Sequence, residues 1–455
     1  MSKKLLENAA DAAVVDTLMS LLDGRVEAFE IYLSREKGMS LEAKEGSIDA
    51  MKVRSSAGVG LRVLYGMRQG FGFSSVLSSG ALTDLVGNAV TGASRSAEDK
   101  FLGFAAPTAS SSATDELGIF DEAFAGVDEK EKIDTAIEIE KSALAYDKRV
   151  KRVRKASYSE SVVSSRIVNS NGVDLTEAAT YYSASVTAVA EEGADSQMGW
   201  EMALGHTRMA IDPEFVGSSA GRNAVRMLNA RKLATMKSPA LIENTVACEL
   251  LESLAGSFLG DNVEKGKSML IGKAGNQVAS RALNIIDDGL MYAGWSTSVF
   301  DGEGMARQRT ELLTNGVCNG FLYDGYWARR AGRASTGSAA RSGYKGSPGV
   351  GISNLYIDKG DKDPSTLMRL MKNGVFITEL LGVHTINTVS GDFSLGAAGF
   401  MVENGAIAYP IRGLAISGNL LDLFSKVDSC GSDLRFIGSI GAPCLLISEI
   451  EASGT

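Results

Sequence analysis

Hydrophobic positions recur at helical spacing at the start of the chain. Leu6, Ala10, Val14, Leu18 and Leu21 fall on one face before Gly24, which predicts an amphipathic helix over residues 3 to 23. The pattern then changes to period two. Between Ala28 and Ser75 the short runs EAFEIYLSR, DAMKVRSS, GLRVLY and GFGFSS, separated by glycine and polar residues, read as an antiparallel meander. In GLRVLY, Leu61, Val63 and Tyr65 share one face and Arg62 takes the other. A helix is expected over 80 to 95, and a small, polar loop over 105 to 118. Asp128, with Glu131 three residues on, resembles a capping arrangement, and Ile133, Ile137 and Leu144 then share a helical face. Residues 151 to 192 return to strand character, and 212 to 233 read as one long helix with Pro213 in its first turn. The main boundary is placed near 236, between an N-terminal domain, 1 to 236, and a C-terminal domain, 237 to 455. The second opens with a strand and a helix around 245 to 259 and continues as short, glycine-punctuated segments with long loops. The expected class is α+β: a mixed helix and antiparallel-sheet domain followed by a β-rich domain.

Composition narrows the function classes. With 46 Lys plus Arg against 55 Asp plus Glu, the net charge of −9 argues against a chain built mainly to grip phosphate backbone. The 51 glycines stand against only 7 prolines, so they mark turns and close approaches rather than low complexity. Cys248, Cys318, Cys430 and Cys444 are far apart, form no C-x-x-C pair, and fit a reducing cytoplasm. Glu7, Asp11 and Asp16 break the apolar core that a secretory signal needs. No apolar run approaches the ~18 residues of a membrane span, so no membrane partner is expected.

Candidate chemistry is sparse. The two histidines, His206 and His384, have no second histidine at metal-ligand spacing. Residues 217 to 221, GSSAG, match the G-x-S-x-G expression of serine hydrolases around Ser219, but they lie inside a predicted helix rather than at a strand-to-helix elbow. Small residues for close helix packing are the simpler reading. The segment from Gly260 to Ser268 misses the phosphate-loop spacing by one residue. Asp287-Asp288 and Asp301-Gly302-Glu303 suit either acid–base or cation work, or turn and interface structure. The stretch 326 to 354 is basic, Gly/Ser-rich and aromatic-edged. It reads either as a flexible solvated loop or as a surface for nucleic acid, a peptide carboxylate or a partner's acidic face, with Arg329, Arg330, Arg333 and Arg341 as candidates.

Ordered local patterns in the second half are more specific. IIDDGL, GWSTSVFDGEGMARQR, ASTGSAAR, SNLYIDKG, NTVSGDFSLGAAGFMVENGAIAYPI, ISGNLLDLF and GAPCLLI resemble the TldD/PmbA family, the modulator of DNA gyrase family, and within it the PmbA (TldE) branch. The first half agrees more loosely, through GVGLRVLYGMRQGFGFSS and the helix containing GRNAVRML. The resemblance implies a two-part fold and a peptidase system whose TldD-like subunits carry a His-Glu-x-x-x-His zinc motif. In that motif histidine nitrogens hold zinc and the glutamate polarises a bound water.

The corresponding stretch here is 250 to 261, LLESLAGSFLGD. Aligned on Gly256, Glu252 and Ser257 stand at the histidine positions and Ser253 at that of the general base. The resemblance therefore implies a non-metal subunit with no catalytic residue and no cofactor of its own. The zinc is expected in a TldD-like partner, in a cytoplasmic heterodimer that processes small or unfolded peptides. Asp301, Glu303, Arg341, Asn354 and His384 are the expected peptide-channel residues, since most of them sit in matched segments. A homodimer is expected when the chain is alone. Two other readings stay open: a stand-alone peptidase with an atypical site, and a regulatory protein acting indirectly on DNA gyrase without direct nucleic-acid contact.

Overall fold

The computed structural model describes residues 9–107 and 116–454. Six antiparallel strands form the first sheet: β1 (Ala28–Lys44), β2 (Ser47–Tyr65), β3 (Arg68–Ser74), β4 (Val150–Asn169), β5 (Asp174–Glu192) and β6 (Asp195–Gly205), in the order β3-β2-β1-β4-β5-β6. The short runs expected between Ala28 and Ser75 merge into two long strands and a short one, because Gly38, Gly58 and Gly60 lie inside strands rather than at turns. A Cβ at Gly38 would meet the Glu160 carbonyl of the neighbouring strand at 2.9 Å. One at Gly60 would meet the Tyr344 carbonyl at 2.5 Å, so glycine here admits another backbone.

Period-two alternation gives this sheet two unlike faces. Odd positions of β1 and β2, including Ile31, Leu33, Leu41, Val59, Leu61 and Val63, are buried under helices. Helices Ala9–Leu22 and Ser79–Arg95 cover one end, and Glu129–Ala145 with Pro213–Val225 the other. The part of the first expected helix before residue 9 lies outside the described residues, as do 108–115 of the expected loop. Even positions carry Glu30, Tyr32 and Arg62 on the opposite face, where the second half of the chain docks.

The helix expected over 212 to 233 ends at Val225. Asn229 turns left-handed at φ 58, and the Arg231 N–H bonds the Pro410 carbonyl at 2.9 Å, so pairing to the second half overrides helical continuation. Beyond it, strands Met236–Ile242, Gly374–Leu381, Asp392–Glu403, Ala406–Asn419 and Leu445–Gly454 form a sheet that closes on itself where Leu414–Ile416 pair with Ala452–Gly454. With Val427–Cys430 the closed sheet has six strands, and a third six-stranded sheet is built mostly from short strands, among them Ile285–Asp288, Leu355–Ile357 and Ile440–Ala442. Helix Asn244–Ala255 lies between the two and buries Val246, Ala247, Leu250, Leu251 and Leu254 in their common core. The four cysteines are free and buried. No described helix is long and apolar enough to cross a membrane.

Candidate functional site

Burying one side of helix Asn244–Ala255 leaves a single edge uncovered, and spacing of three and four residues puts Glu249, Glu252 and Ser253 on it. The Ser253 hydroxyl donates to the Glu249 carbonyl of its own helix at 3.0 Å. Ser257 is fully buried one turn on, and its hydroxyl accepts from the Met269 N–H at 3.3 Å. The three positions singled out in the sequence thus provide one exposed carboxylate and two hydroxyls already bonded to backbone. Zinc requires three or four converging nitrogen, thiolate or carboxylate donors, and this set does not fit it. Among the described residues no group of three or more His, Cys, Asp or Glu side chains could hold a metal ion.

Two clefts meet at Glu249. One, of about 370 Å³, is shared with Glu252, Ser253 and the exposed His384. The other, of about 380 Å³, lies between the two halves, with Trp200, Arg226, Glu243, Glu379 and Arg435 in its walls. Its charges are partly cancelled: Arg226 holds Glu243 at 3.0 and 3.2 Å, and Arg435 pairs with Glu201 across the halves. Burial, and secondarily Glu252 and Glu379, push the Glu249 carboxyl up to about 7. Glu249 and Glu379 carried no motif, and the i, i+3 pair of glutamates on an amphipathic helix was the available signal.

This has a testable pH consequence. An unfolded glutamate ionises near 4.5, so between there and about 7 the folded protein keeps a proton that the unfolded chain releases. The stability contributed by this group is complete below that window and declines as pH rises through it. Glu249→Gln is expected to abolish the decline, with a urea midpoint above the parent's near about pH 8 and equal to it near about pH 4. Parallel pH profiles for the two proteins would refute the assignment.

The other expected channel residues lie elsewhere, in the joint between the halves. Glu30 and Arg62 are directly opposite in β1 and β2 and form a bidentate pair at 2.8 and 2.6 Å. Arg341 completes Glu30 from the second half, stacks its guanidinium 4.6 Å from the Tyr32 ring centroid, and donates to the Gly302 carbonyl at 2.5 Å. Glu303 faces Arg62 at 3.4 Å and accepts from the Gly325 N–H at 2.8 Å. Asp301 is pushed up to about 6, chiefly by burial, and accepts three backbone N–H groups. Asn354, fully buried, donates to the Asp288 carbonyl and Thr297 and accepts from the Ser296 N–H. All four side chains have protein partners, Arg341 and Glu303 across the joint and Asp301 and Asn354 within the second half; His384 alone of the five stands on an open cleft.

The remaining sequence candidates take structural roles. Asp287 accepts from the Ser353 N–H and hydroxyl, both at 2.7 Å, and Asp288 from the Leu290 N–H at 2.9 Å, bonds that join neighbouring segments and a turn within the second half. Ser219 is buried mid-helix, and Gly217 and Gly221 let that helix approach the Ile139 and Ala143 carbonyls. His206 is buried with its ring nitrogens 2.7 and 2.9 Å from the Thr180 and Gly294 carbonyls. The stretch 326 to 354 contains the end of helix Gly325–Ala331, closed by left-handed Gly332, and a small hairpin pairing Ala339–Ala340 with Gly349–Val350, joined by loop.

A long-stranded antiparallel sheet thus carries helices on one face and docks the other on the closed-sheet half that holds helix Asn244–Ala255. Residues 235–454 match the PmbA/TldA metallopeptidase C-terminal domain, 122–228 the central domain and 29–93 domain 1. The chain belongs to the PmbA/TldD family. It is 29% identical to the metalloprotease PmbA of Escherichia coli O157:H7 over 453 residues, 99% of this chain and 97% of that protein. A solved structure from Thermotoga maritima, described as a modulator of a DNA gyrase, superposes with a TM-score of 0.88 at 28% identity, covering 97% of this chain and 100% of that one. TldE from Thermococcus kodakarensis shares the fold, with a TM-score of 0.87 at 19% identity over 98% of this chain and 100% of that one.

Proposed function

We propose that this chain is the non-metal, PmbA/TldE-type subunit of a two-subunit metallopeptidase, paired with a TldD-like subunit that holds the zinc. The carrying observation is the motif helix itself: where the zinc-binding branch needs two histidines and a glutamate, this chain has Glu252, Ser257 and Ser253, and both hydroxyls are bonded to backbone. The fold is retained around them, which supports a role in assembly and substrate handling rather than in water activation. In this reading the chain helps to bind and channel small or unfolded peptides. Glu249, Glu252, Glu379 and His384 give the two clefts polar walls that an extended peptide can meet through backbone and terminal charges.

The test is a comparison of three samples: this chain, the TldD-like subunit, and their mixture, each assayed for zinc per chain and for cleavage of an unstructured peptide. The expected outcome is zinc well below one per chain in this protein, co-elution of the mixture, and cleavage that Glu252→Gln here leaves within about twofold. Stoichiometric zinc in this chain, or peptide cleavage by it alone that Glu252→Gln abolishes, would favour the stand-alone peptidase instead. Failure to co-elute at concentrations where both fold would remove the partnership.

A further inference from the structure

The basic stretch after Tyr326 builds a surface that the proposed function does not use. Helix Gly325–Ala331 is tied to the segment after residue 98: Arg329 donates to the Phe101 and Gly103 carbonyls at 2.7 and 3.1 Å, and the Tyr326 hydroxyl donates to Asp99 at 2.7 Å. These ties bring Phe101 beside Trp327 and set cations on both rings. The Lys265 ammonium lies 4.8 Å from the Trp327 centroid. The Arg330 guanidinium lies 5.5 Å from Trp327 and 5.9 Å from Phe101, and the Lys100 ammonium 5.2 Å from Phe101. Cation and ring alternate along the surface in the order Lys265, Trp327, Arg330, Phe101, Lys100.

The local acids neutralise only part of this row. Asp99 accepts from Tyr326 and the Phe101 N–H, and Asp261 pairs with Lys265 at 2.8 Å. Among the described residues Lys100 and Arg330 have no carboxylate ion pair, nor has Arg333 just beyond the Gly332 cap, whereas Arg62, Arg149, Arg166, Arg208 and Arg226 all have one. Lys100, Lys265, Arg330 and Arg333 are all exposed. In a chain of net charge −9, Lys100, Arg330 and Arg333 form a local concentration of positive charge with no carboxylate ion pair among the described residues.

We propose that this row docks a carboxylate-rich, extended segment of a partner protein. Charge complementarity selects the occupant: the Arg330 fork matches a carboxylate, and the unpaired Lys100 ammonium and Arg333 guanidinium accept further ones. Stacking on the rings restrains these long side chains beforehand, which reduces the rotamer freedom lost on binding. Single-stranded nucleic acid suits the row less well. The rings on which bases would stack already carry cations.

The experiment titrates the full chain into fluorescein-labelled hexaglutamate and, separately, a labelled oligothymidylate, following anisotropy at about 50 and about 200 mM salt. Hexaglutamate is expected to bind and to weaken with salt. The Lys100→Gln/Arg330→Gln double variant is expected to lose about tenfold in affinity, while Lys237→Gln, elsewhere on the surface, loses none. Arg333→Gln, a single exposed change, is expected to lose about threefold and supplies the same test should the double variant not fold. Absence of hexaglutamate binding at low salt, binding that the Lys100 and Arg330 changes leave intact, or tighter binding of the oligothymidylate would each overturn the proposal. The readout needs neither the zinc-bearing subunit nor peptidase activity, so its failure is separable from failure of the assembly reading.

Discussion

Arg62→Met is expected to lower the unfolding free energy by about 3–5 kcal/mol, measured by urea titration at neutral pH with an unchanged slope. The guanidinium is the inner member of a four-charge group, Glu30, Arg62, Glu303 and Arg341, in which every side chain is at most 7% exposed. Removing it leaves Glu30 shared with Arg341 alone and Glu303 with no direct cation contact. Such an uncompensated buried carboxylate is far more costly than a missing surface pair. The Glu30→Met/Arg62→Met double variant removes one charge of each sign, and its loss is expected to be smaller than the sum of the two single losses. A loss below about 1 kcal/mol for Arg62→Met, the range of exposed ion pairs, would mean that water reaches these groups and that the joint is held by packing alone.

Asp301→Ala is expected to have a comparable effect through hydrogen bonds rather than ion pairs. One carboxylate oxygen accepts from the Glu303 and Met305 N–H groups at 2.8 and 3.0 Å, and the other accepts from Ala339 at 3.0 Å. At 1% exposure no solvent replaces the acceptor, so three orphaned donors at about 1–3 kcal/mol each predict a loss of at least about 3 kcal/mol. Asp301→Asn keeps one acceptor oxygen but turns an amide toward the Ala339 N–H, and an intermediate loss is expected. The pH dependence separates the two effects. Because burial, opposed by Arg307 and reinforced by Glu303, raises Asp301 to about 6, its contribution is largest below the unfolded value of 3.8 and falls as pH rises to about 6. The Asn variant is expected to lack that fall. A parent-like midpoint for Asp301→Ala would show that the loop does not depend on this carboxylate.

The proposed assembly gives these joint residues their importance. Glu30, Arg62, Arg341 and Glu303 fix the first sheet against the second half, and the Arg226–Glu243 and Arg435–Glu201 pairs line the cleft between them. A residue expected to touch peptide can therefore matter by setting how the two halves meet instead.

Local chemistry made much of this legible from the chain alone. Alternation in GLRVLY separated Leu61 and Val63 from Arg62 correctly, because a strand has only two faces and their solvents differ. Asp212 and Pro213 marked a helix start for the same local reason, a side-chain acceptor for the Phe215 N–H and a preset φ. The family was readable because ordered residue patterns survive in one dimension.

What only the tertiary structure decided concerns partners distant in sequence. Gly38, Gly58 and Gly60 looked like turns, and became strand interiors because another backbone or ring approaches them there. The Glu30–Arg62 pair depended on strand register, and the addition of Arg341 and Glu303 depended on how the halves dock, neither of which any local window contains. Glu249 acquired its raised carboxyl from half-burial beside Glu252 and Glu379, a neighbour brought in by a different strand. Sequence patterning thus set which surfaces are apolar and which polar, while packing set which polar groups are buried together, and the energies of the joint and of the clefts arise from that burial.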